Sequence, residues 1–302
     1  MIKFSIPAKH FILGEYAVLD RGPALLFMHE PRFMLIASQG IPQLTGIHSK
    51  SPAGRFYQEN FSLFESHQLS FIDPYQNIGG LGASSAQFIL MYALYQHLLN
   101  QPFSLETLFQ AYQSFAYSGI GYPPSGSDIV AQTVGGLLAW IAEKKEVTQF
   151  NWPFETSLSF HFVHTGHKVK THEHLQTLQL GFSLETFKKI VHTSLQALQD
   201  KDPIIFCDTI NDYAHHLDKH NLTTKNTRAL LNTLLCLPGV KAAKGCGALG
   251  NDVLFILTEK ENETAFKKWI SNNNLRYLSN QNNISPGLLL EPETETETTK
   301  EI

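Results

Sequence analysis

A glycine- and serine-rich segment at 79–85, Gly-Gly-Leu-Gly-Ala-Ser-Ser, has the clearest chemical potential in this sequence. An apolar stretch at 88–99 follows it and predicts a buried helix. A glycine loop at a helix N-terminus points several backbone N–H groups at one place, where the helix dipole adds positive charge. This arrangement favours phosphate, and the serine hydroxyls could reach a magnesium ion or a phosphate oxygen. The alternative is a simple turn and helix cap.

Three other segments carry residues that could act beside such a phosphate. Lys9 follows a predicted strand, where an ammonium could neutralise a transferring phosphoryl group; the alternative is a surface lysine. Asp128 follows Pro-Pro-Ser-Gly-Ser, which holds the carboxylate in a defined place, although it could equally cap the next helix. The glycines of 244–252 permit close backbone approach to a ligand, or a hairpin turn.

Alternating apolar residues and cap signals predict the elements that position these segments. Ser104 and Asn262 are the expected N-caps of two of the helices. Strands are predicted at 2–6, 11–13, 24–28, 33–37, 136–142, 158–164, 240–243, 253–258 and 275–278, with 56–63 as a further candidate. Helices are predicted at 83–99, 105–117, from 128, and at 173–180, 184–198, 203–218, 225–235 and 263–272.

Two clusters of residue types have competing interpretations. Four histidines within 164–174 suggest a metal site, but they lack a paired i, i+4 set backed by acids. With Lys168 and Lys170 they could instead hold a substrate phosphate, or form a plain basic surface loop. The aromatic residues at 109, 112, 115 and 117 recur near helical spacing, which favours core packing over an adenine platform.

Together and in this order, the four segments resemble the GHMP family of small-molecule kinases over about residues 2–278. The matching motifs are Pro7-Ala-Lys9 with Gly14-Glu-Tyr16, the phosphate loop Gly80-Leu-Gly-Ala-Ser-Ser-Ala86, Ser125-Gly-Ser-Asp128, and the last loop Gly247-Ala-Leu-Gly-Asn251. The resemblance implies an α+β fold of two domains. The first, 1–155, would contain a left-handed βαβ crossover, and the second, 156–288, would be ferredoxin-like, with the site between them.

The resemblance also implies roles for residues and two cofactors, ATP and Mg²⁺. Asp128 would take the proton of the substrate hydroxyl, and Lys9 would stabilise that group. The ATP phosphates would lie on Gly80, Leu81, Gly82, Ala83, Ser84 and Ser85, with Ser84, or Ser85 after a one-residue slip, on magnesium. The substrate would contact Glu15, Tyr16, Ser125, Gly126, Lys168, Gly247 and Ala248.

The same resemblance favours phosphomevalonate as the acceptor, because 14–19 reads Gly-Glu-Tyr-Ala-Val-Leu and Asp252 ends the last loop. Mevalonate is the second choice, since Tyr117 stands where mevalonate kinases place a magnesium-ligating glutamate. A sugar kinase of the same fold and a non-catalytic ligand-sensing relative are the alternatives. Leu249 and Asn251 replace glycines that the family motif has. These departures affect the assignment of the substrate more than that of the reaction class.

Composition limits the partners. The net charge of −4 comes from the tail at 289–302, which has five glutamates and one lysine and is expected to be disordered. The remaining chain is balanced in charge, which argues against nucleic acid. The chain has only three cysteines and no CxxC pair, which favours the reducing cytoplasm as its location. No apolar run predicts a membrane helix, and a monomer or homodimer acting on a small molecule is expected.

Overall fold

Two β-sheets organise the protein in this computed structural model, which describes residues 1–76, 78–166, 181–250 and 252–292. The first sheet has strand order β11-β1-β2-β4-β3. Strand β4 pairs with the C-terminal half of β2, whereas β5 pairs with its N-terminal half and also with β6. Its strands are β1 Ile2–Leu13, β2 Pro23–Gln39, β3 Gln43–Thr45, β4 His67–Ile72, β5 Leu137–Ile141, β6 Glu146–Phe150 and β11 Leu289–Leu290.

The helices of this half follow from local signals and apolar content. Helix α1 begins after Ser51, whose side chain accepts from the Gly54 N–H, and has Pro52 in its first turn. Helix α3 is apolar on nearly all sides and lies buried in the core of the first sheet. The helices are α1 Pro52–Glu59, α2 Phe61–Phe64, α3 Ala83–Leu98, α4 Leu105–Ala116 and α5 Ser127–Val134.

The second sheet is antiparallel throughout and has strand order β10-β7-β9-β8. Its strands are β7 Leu158–His164, β8 Val240–Cys246, β9 Val253–Glu259 and β10 Arg276–Asn280. Its helices are α6 Glu185–Asp200, α7 Pro203–Lys219 and α8 Lys225–Leu235, between β7 and β8, and α9 Glu263–Asn272, between β9 and β10. This order and connectivity are ferredoxin-like, as predicted.

In the first sheet, β3 and β4 pair in parallel and are joined by α1 and α2, which makes a βαβ unit. The predicted α+β fold class is therefore confirmed. The left-handedness of the crossover and the domain boundaries at 155 and 288 stay predictions.

One hydrophobic core joins the two sheets and fixes how they meet. The Phe27 ring in β2 lies 4.8 Å from that of Phe160 in β7, measured between centroids. His10 in β1 stacks on Phe162 at 4.3 Å and on His29 at 4.7 Å. Burial lowers the pKa of His29 to about 4, so these imidazoles are neutral parts of the interface.

Several predicted elements differ from those observed. The candidate strand at 56–63 is wrong, because Ser51 starts a helix there. The strands at 2–6 and 11–13 are one strand with a bulge after Pro7, and so Lys9 lies inside β1 rather than on a loop. Those at 24–28 and 33–37 are likewise one strand, β2, which contains a cis Glu30–Pro31 bond. Strands β3, β4, β6 and β11 were not predicted.

The predicted termini and caps can also be compared with the structure. The Ser104 cap is confirmed, since its side chain accepts from the Thr107 N–H. Asn262 precedes α9 but makes no side-chain cap bond. Two residues of the tail predicted at 289–302, Leu289 and Leu290, pair with β1, and the residues from 293 onward lie outside the described ones. The helix predicted at 173–180 lies outside the described residues. Among the residues that are described, no helix is long and apolar enough to span a membrane.

Candidate active site

The four chemically promising segments meet around one cleft of about 480 Å³. Its walls come from β1 and the turn after it, from the phosphate loop before α3, from the end of α4 with the loop to α5, and from Gly247 after β8. The cleft is lined by Lys9, Glu15, Tyr16, Gly80, Leu81, Gly82, Ala83, Ser84, Ser85, Ser125, Gly126, Asp128 and Gly247, all of which the sequence analysis singled out. Their convergence shows that residues far apart in sequence can act on one ligand.

The phosphate loop needs glycine at two positions. Gly80 and Gly82 have φ of +81° and +82°, in the left-handed region that favours glycine. A Cβ atom on Gly82 would lie 2.8 Å from Cγ of Lys9. The Lys9 N–H donates to the Leu81 carbonyl at 3.1 Å, which fixes the loop to β1. The N-terminus of the 16-residue helix α3 is thereby held at the cleft, where its N–H groups can receive an anion.

The two adjacent serines of this loop have different environments. Ser85 is buried, and its hydroxyl donates to Oε1 of Gln132 at 2.5 Å and lies 2.9 Å from the Gly82 carbonyl. Gln132 in turn donates to the Pro7 carbonyl at 2.8 Å. Ser84 is exposed at the cleft, and its hydroxyl makes no hydrogen bond to any residue that the structure describes. The Ser84 hydroxyl is therefore available to a ligand, whereas that of Ser85 is engaged by the fold.

Lys9 and Asp128 form an ion pair at the cleft, with Nζ 2.6 Å from Oδ1. The Lys9 side chain is 11% exposed and that of Asp128 37%, so the pair can meet a ligand on the carboxylate side. Gly126, with φ of +76°, precedes α5, and a Cβ there would lie 2.3 Å from Cε2 of Phe109 in α4. The absence of a side chain on Gly126 thus lets the first turn of α5, which carries Asp128, pack closely against Phe109.

Polar atoms near Asp128 are organised locally. The hydroxyls of Ser125 and Ser127 are 2.9 Å apart, and the Ser127 N–H donates to Oγ of Ser125 at 3.3 Å. Tyr112 of α4 also lines the cleft. Burial, and then the charge of Asp128, raise the pKa of the Tyr112 phenol, which keeps it a neutral neighbour of the carboxylate.

Glu15 and Tyr16, both expected at the substrate, also contact the second sheet. Oε1 of Glu15 accepts from Nζ of Lys244 at 2.8 Å, and the phenol oxygen of Tyr16 accepts from the Leu249 N–H at 3.2 Å. Burial raises the pKa of Glu15, and the Lys244 ammonium opposes this. Lys244 was not predicted to have a role, although a lysine between core residues such as Ala242 and Cys246 in one strand is a usable signal.

Three further cleft residues, Asp73, Tyr112 and Tyr117, were either missed or assigned to the core. Asp73, which follows β4, lines the cleft and was missed; its Oδ1 accepts from the Tyr75 N–H at 2.8 Å. Tyr112 and Tyr117 also line the cleft, so these two aromatics are not purely core residues. Ala248 begins a 3₁₀ turn that follows Gly247. Lys168 and most of the histidine-rich segment lie outside the described residues.

The donor set of the cleft suits a hard cation better than a soft one. Ser84, Asp73 and Asp128 offer oxygens, which Mg²⁺ prefers, and Mg²⁺ is commonly held by one or two protein oxygens together with phosphates. In the part of the chain that the structure describes, no group of three or more histidine, cysteine or acidic side chains could enclose a metal ion. The cleft therefore fits a cation that arrives with its phosphates.

No protein-family model and no curated protein sequence matches the chain. Solved structures match it over nearly its full length. It is similar to Streptococcus pneumoniae phosphomevalonate kinase in complex with phosphomevalonate and AMPPNP (TM-score 0.74, 16% identity, 93% of this chain and 99% of that one). It is similar to Lactococcus lactis galactokinase complexed with galactose (0.74, 13%, 95% and 94%) and to Methanococcus jannaschii mevalonate kinase (0.70, 14%, 96% and 98%). These similarities show that the chain has the fold of GHMP small-molecule kinases, as its motifs predicted.

Proposed function

We propose that this protein is an ATP-dependent kinase that phosphorylates a hydroxyl group of a small molecule. The observation that carries the proposal is the Lys9–Asp128 pair, 2.6 Å apart, in the cleft that also receives the N-terminus of α3. An ammonium, a carboxylate and a set of backbone N–H groups around one cleft match what phosphoryl transfer requires. The fold it shares with known kinases supports the same reaction class.

In the proposed reaction, Asp128 accepts the proton of the acceptor hydroxyl as its oxygen bonds to the γ-phosphorus and the bond to ADP breaks. Lys9 lies beside the same oxygen and offsets the negative charge that develops there. The N–H groups at the start of α3 hold the ATP phosphates, and Gly80 and Gly82 allow the backbone to approach them closely. No covalent intermediate with the protein is needed, so catalysis depends on positioning and charge stabilisation.

We propose Ser84 as the magnesium ligand, because its hydroxyl is exposed at the cleft while that of Ser85 is bonded to Gln132. Asp73 is a second oxygen donor that the cleft offers. When bound, Mg²⁺ neutralises phosphate charge during transfer. A Cβ on Gly80 would lie 3.0 Å from Cβ of Asp252, and one on Gly82 would lie 2.8 Å from Cγ of Lys9, so these glycines let the loop pack closely against both residues.

For the acceptor we propose phosphomevalonate first and mevalonate second. The Gly-Glu-Tyr-Ala-Val-Leu sequence at 14–19 supports the first choice, and solved kinases of both types share the fold. Glu15, Tyr16, Ser125, Gly126, Gly247 and Ala248 are the proposed acceptor contacts, with Lys168 as the proposed partner of the acceptor phosphate. A cytoplasmic location and a monomeric or homodimeric state stay predictions from the sequence.

A pyruvate-kinase/lactate-dehydrogenase coupled assay with Mg-ATP tests the proposal. Phosphomevalonate, mevalonate, galactose, homoserine and no acceptor are compared at equal enzyme concentration. Turnover above the acceptor-free rate with one of the first two supports both the reaction and the acceptor. Turnover only with galactose or homoserine keeps the reaction and replaces the acceptor. Binding of an ATP analogue without turnover on any acceptor favours a non-catalytic ligand-binding relative, and absence of nucleotide binding overturns the proposal.

A further inference from the structure

Lys244 is a charged residue in the interior of the protein. It lies in β8, its side chain is 0% exposed, and its Nζ is 2.8 Å from Oε1 of Glu15, whose side chain is 4% exposed. The same Nζ lies 4.0 Å from Sγ of Cys246 and 5.6 Å from the ring centroid of Tyr213. Both side chains of this ion pair are more deeply buried than those of the Lys9–Asp128 pair, which are 11% and 37% exposed.

Folding stability does not explain a lysine at this place. Removing two charges from water costs free energy, and well-packed apolar residues of similar volume are often as stable as a buried ion pair or more so. The neighbours of Lys244 on the same face of β8, Ala242 and Cys246, belong to the core that joins the two sheets. An apolar residue would continue that pattern, so the ion pair is expected to serve placement rather than stability.

The ion pair joins two walls of the cleft. Glu15 lies on the turn after β1 and lines the cleft, and the next residue, Tyr16, accepts a hydrogen bond from the Leu249 N–H at 3.2 Å. Glu15 therefore bonds to Lys244, which precedes Gly247, and Tyr16 bonds to Leu249, which follows it. Gly247 itself also lines the cleft. Gly14, with φ of +101°, allows the turn, since a Cβ there would lie 2.5 Å from the Pro23 carbonyl oxygen.

We infer that Lys244 is a positioning residue: acting through Glu15, it holds the turn at 14–16 against the loop at 247–250 and so fixes the cleft wall next to Lys9. The attachment itself stands independently of the reaction. Its effect on phosphoryl transfer rests on the proposed function. A displacement of about 1 Å in a positioned group can cost about a hundredfold in rate, so loss of Lys244 should be visible in kinetics.

The test compares Lys244→Met with Lys241→Met in the full-length protein. Lys241 is a matched control, because it lies on the same strand and pairs with Glu259 at 2.5 Å, but its side chain is 47% exposed. Lys244→Met is expected to lower kcat/KM about 10- to 100-fold. It should also raise amide hydrogen exchange in peptides covering 13–19 and 246–250 about tenfold, because the turn loses its attachment. Lys241→Met should leave both quantities as in the wild type.

The double variant Glu15→Gln/Lys244→Met keeps the inference testable if Lys244→Met alone fails to fold. It removes both buried charges, and thus the folding penalty of an unpaired one, without restoring the attachment. Its global stability should approach that of the wild type while exchange in 13–19 stays raised. Wild-type exchange in that peptide, in either variant, overturns the inference.

Hydrogen exchange separates the two hypotheses. If the wild-type protein phosphorylates no acceptor, the proposed function fails, and the exchange comparison still decides whether Lys244 holds the turn. If the wild-type protein is active, unchanged kcat/KM in a folded Lys244→Met variant removes the catalytic part of the inference. A Lys244→Met variant with lower kcat/KM but wild-type hydrogen exchange would show that Lys244 affects the rate without holding the turn, which also overturns the inference.

Discussion

Asp128→Asn is the sharpest perturbation of the proposed reaction, because it removes the proton acceptor and little else. An asparagine keeps an oxygen that can accept from Nζ of Lys9, which lies 2.6 Å from the carboxylate. The Asp128 side chain is 37% exposed, so its ion pair contributes at most about 1 kcal/mol to folding. A general base contributes on the order of 10²–10⁴ to rate, equivalent to about 3–5 kcal/mol of activation free energy. The variant should therefore lose activity but remain folded.

Lys9→Met and the double variant show whether the two residues act as a unit. Loss of one charge-stabilising donor typically costs on the order of 10²–10³ in kcat. Because the proposed reaction has both groups act on the same oxygen, the double variant should be little worse than the more damaged single variant. We would measure kcat and KM by the coupled assay, and binding of a non-hydrolysable ATP analogue by calorimetry.

Asp208→Asn is the control, because Asp208 is an exposed carboxylate on α7, outside the cleft. It should behave as the wild type. Near wild-type turnover in a folded Asp128→Asn variant would remove this residue from the proton-accepting role. A double variant whose loss equals the product of the two single losses would show instead that Lys9 and Asp128 act independently, and the proposed shared site would be refuted.

Three further perturbations follow from the site and its surroundings. Ser84→Ala should raise the Mg²⁺ concentration needed for half-maximal rate without changing Tm. Ser85→Ala, which removes the hydrogen bond to the buried Oε1 of Gln132, should instead cost about 1–3 kcal/mol of unfolding free energy in chemical denaturation, and a reversed pattern would exchange the roles of the two serines. Because the folded-state pKa of His29, about 4, lies below the unfolded value near 6.5, the unfolded state binds the proton first, and stability should fall as the pH drops from about 6.5 to 4. His29 alone contributes up to about 1.4 kcal/mol per pH unit, and the lowered pKa values of His10 and His161 act in the same direction; urea unfolding at several pH values measures the sum, and a flat profile would contradict it. Gly126→Ala should lower Tm and activity more than Gly119→Ala, since both positions have positive φ but only the former would clash with a side chain, and equal effects would show that backbone strain alone matters.

Much of the fold was predictable because its signals are local. The Ser104 cap and the helices at 225–235 and 263–272 follow from short patterns of caps and apolar spacing. The candidate strand at 56–63 was wrong because its aromatic residues suit either a strand or a helix, and the Ser51–Pro52 start decides for the helix. Strand β6, at 146–150, is half exposed and mostly polar, so its sequence shows no clear strand pattern. It forms a strand because it pairs with β5.

The site was predictable to the extent that it depends on motifs. The phosphate loop, Lys9 and Asp128 were found from residue types in sequence order, and the structure brings them together at one cleft. The environments of Ser84 and Ser85 were not predictable, because Gln132, which engages Ser85, is 47 positions away. The sequence does not distinguish two adjacent hydroxyls in the first turn of a helix, whereas the position of a distant amide does.

Lys244 shows how a tertiary contact changes the meaning of a motif. Glu15 and Lys244 are 229 positions apart, and neither residue alone reveals that the other exists. A partial signal was nevertheless present, since side chains two apart in a strand share a face and Ala242 and Cys246 both enter the core. The predicted strand ended at 243, one residue too early for this pattern to include Lys244. A lysine aligned with core residues must have an interior counter-charge, because an unpaired buried ammonium is too costly. Glu15 supplies that counter-charge, so the Gly-Glu-Tyr turn attaches β1 to β8 in addition to its proposed contact with the substrate.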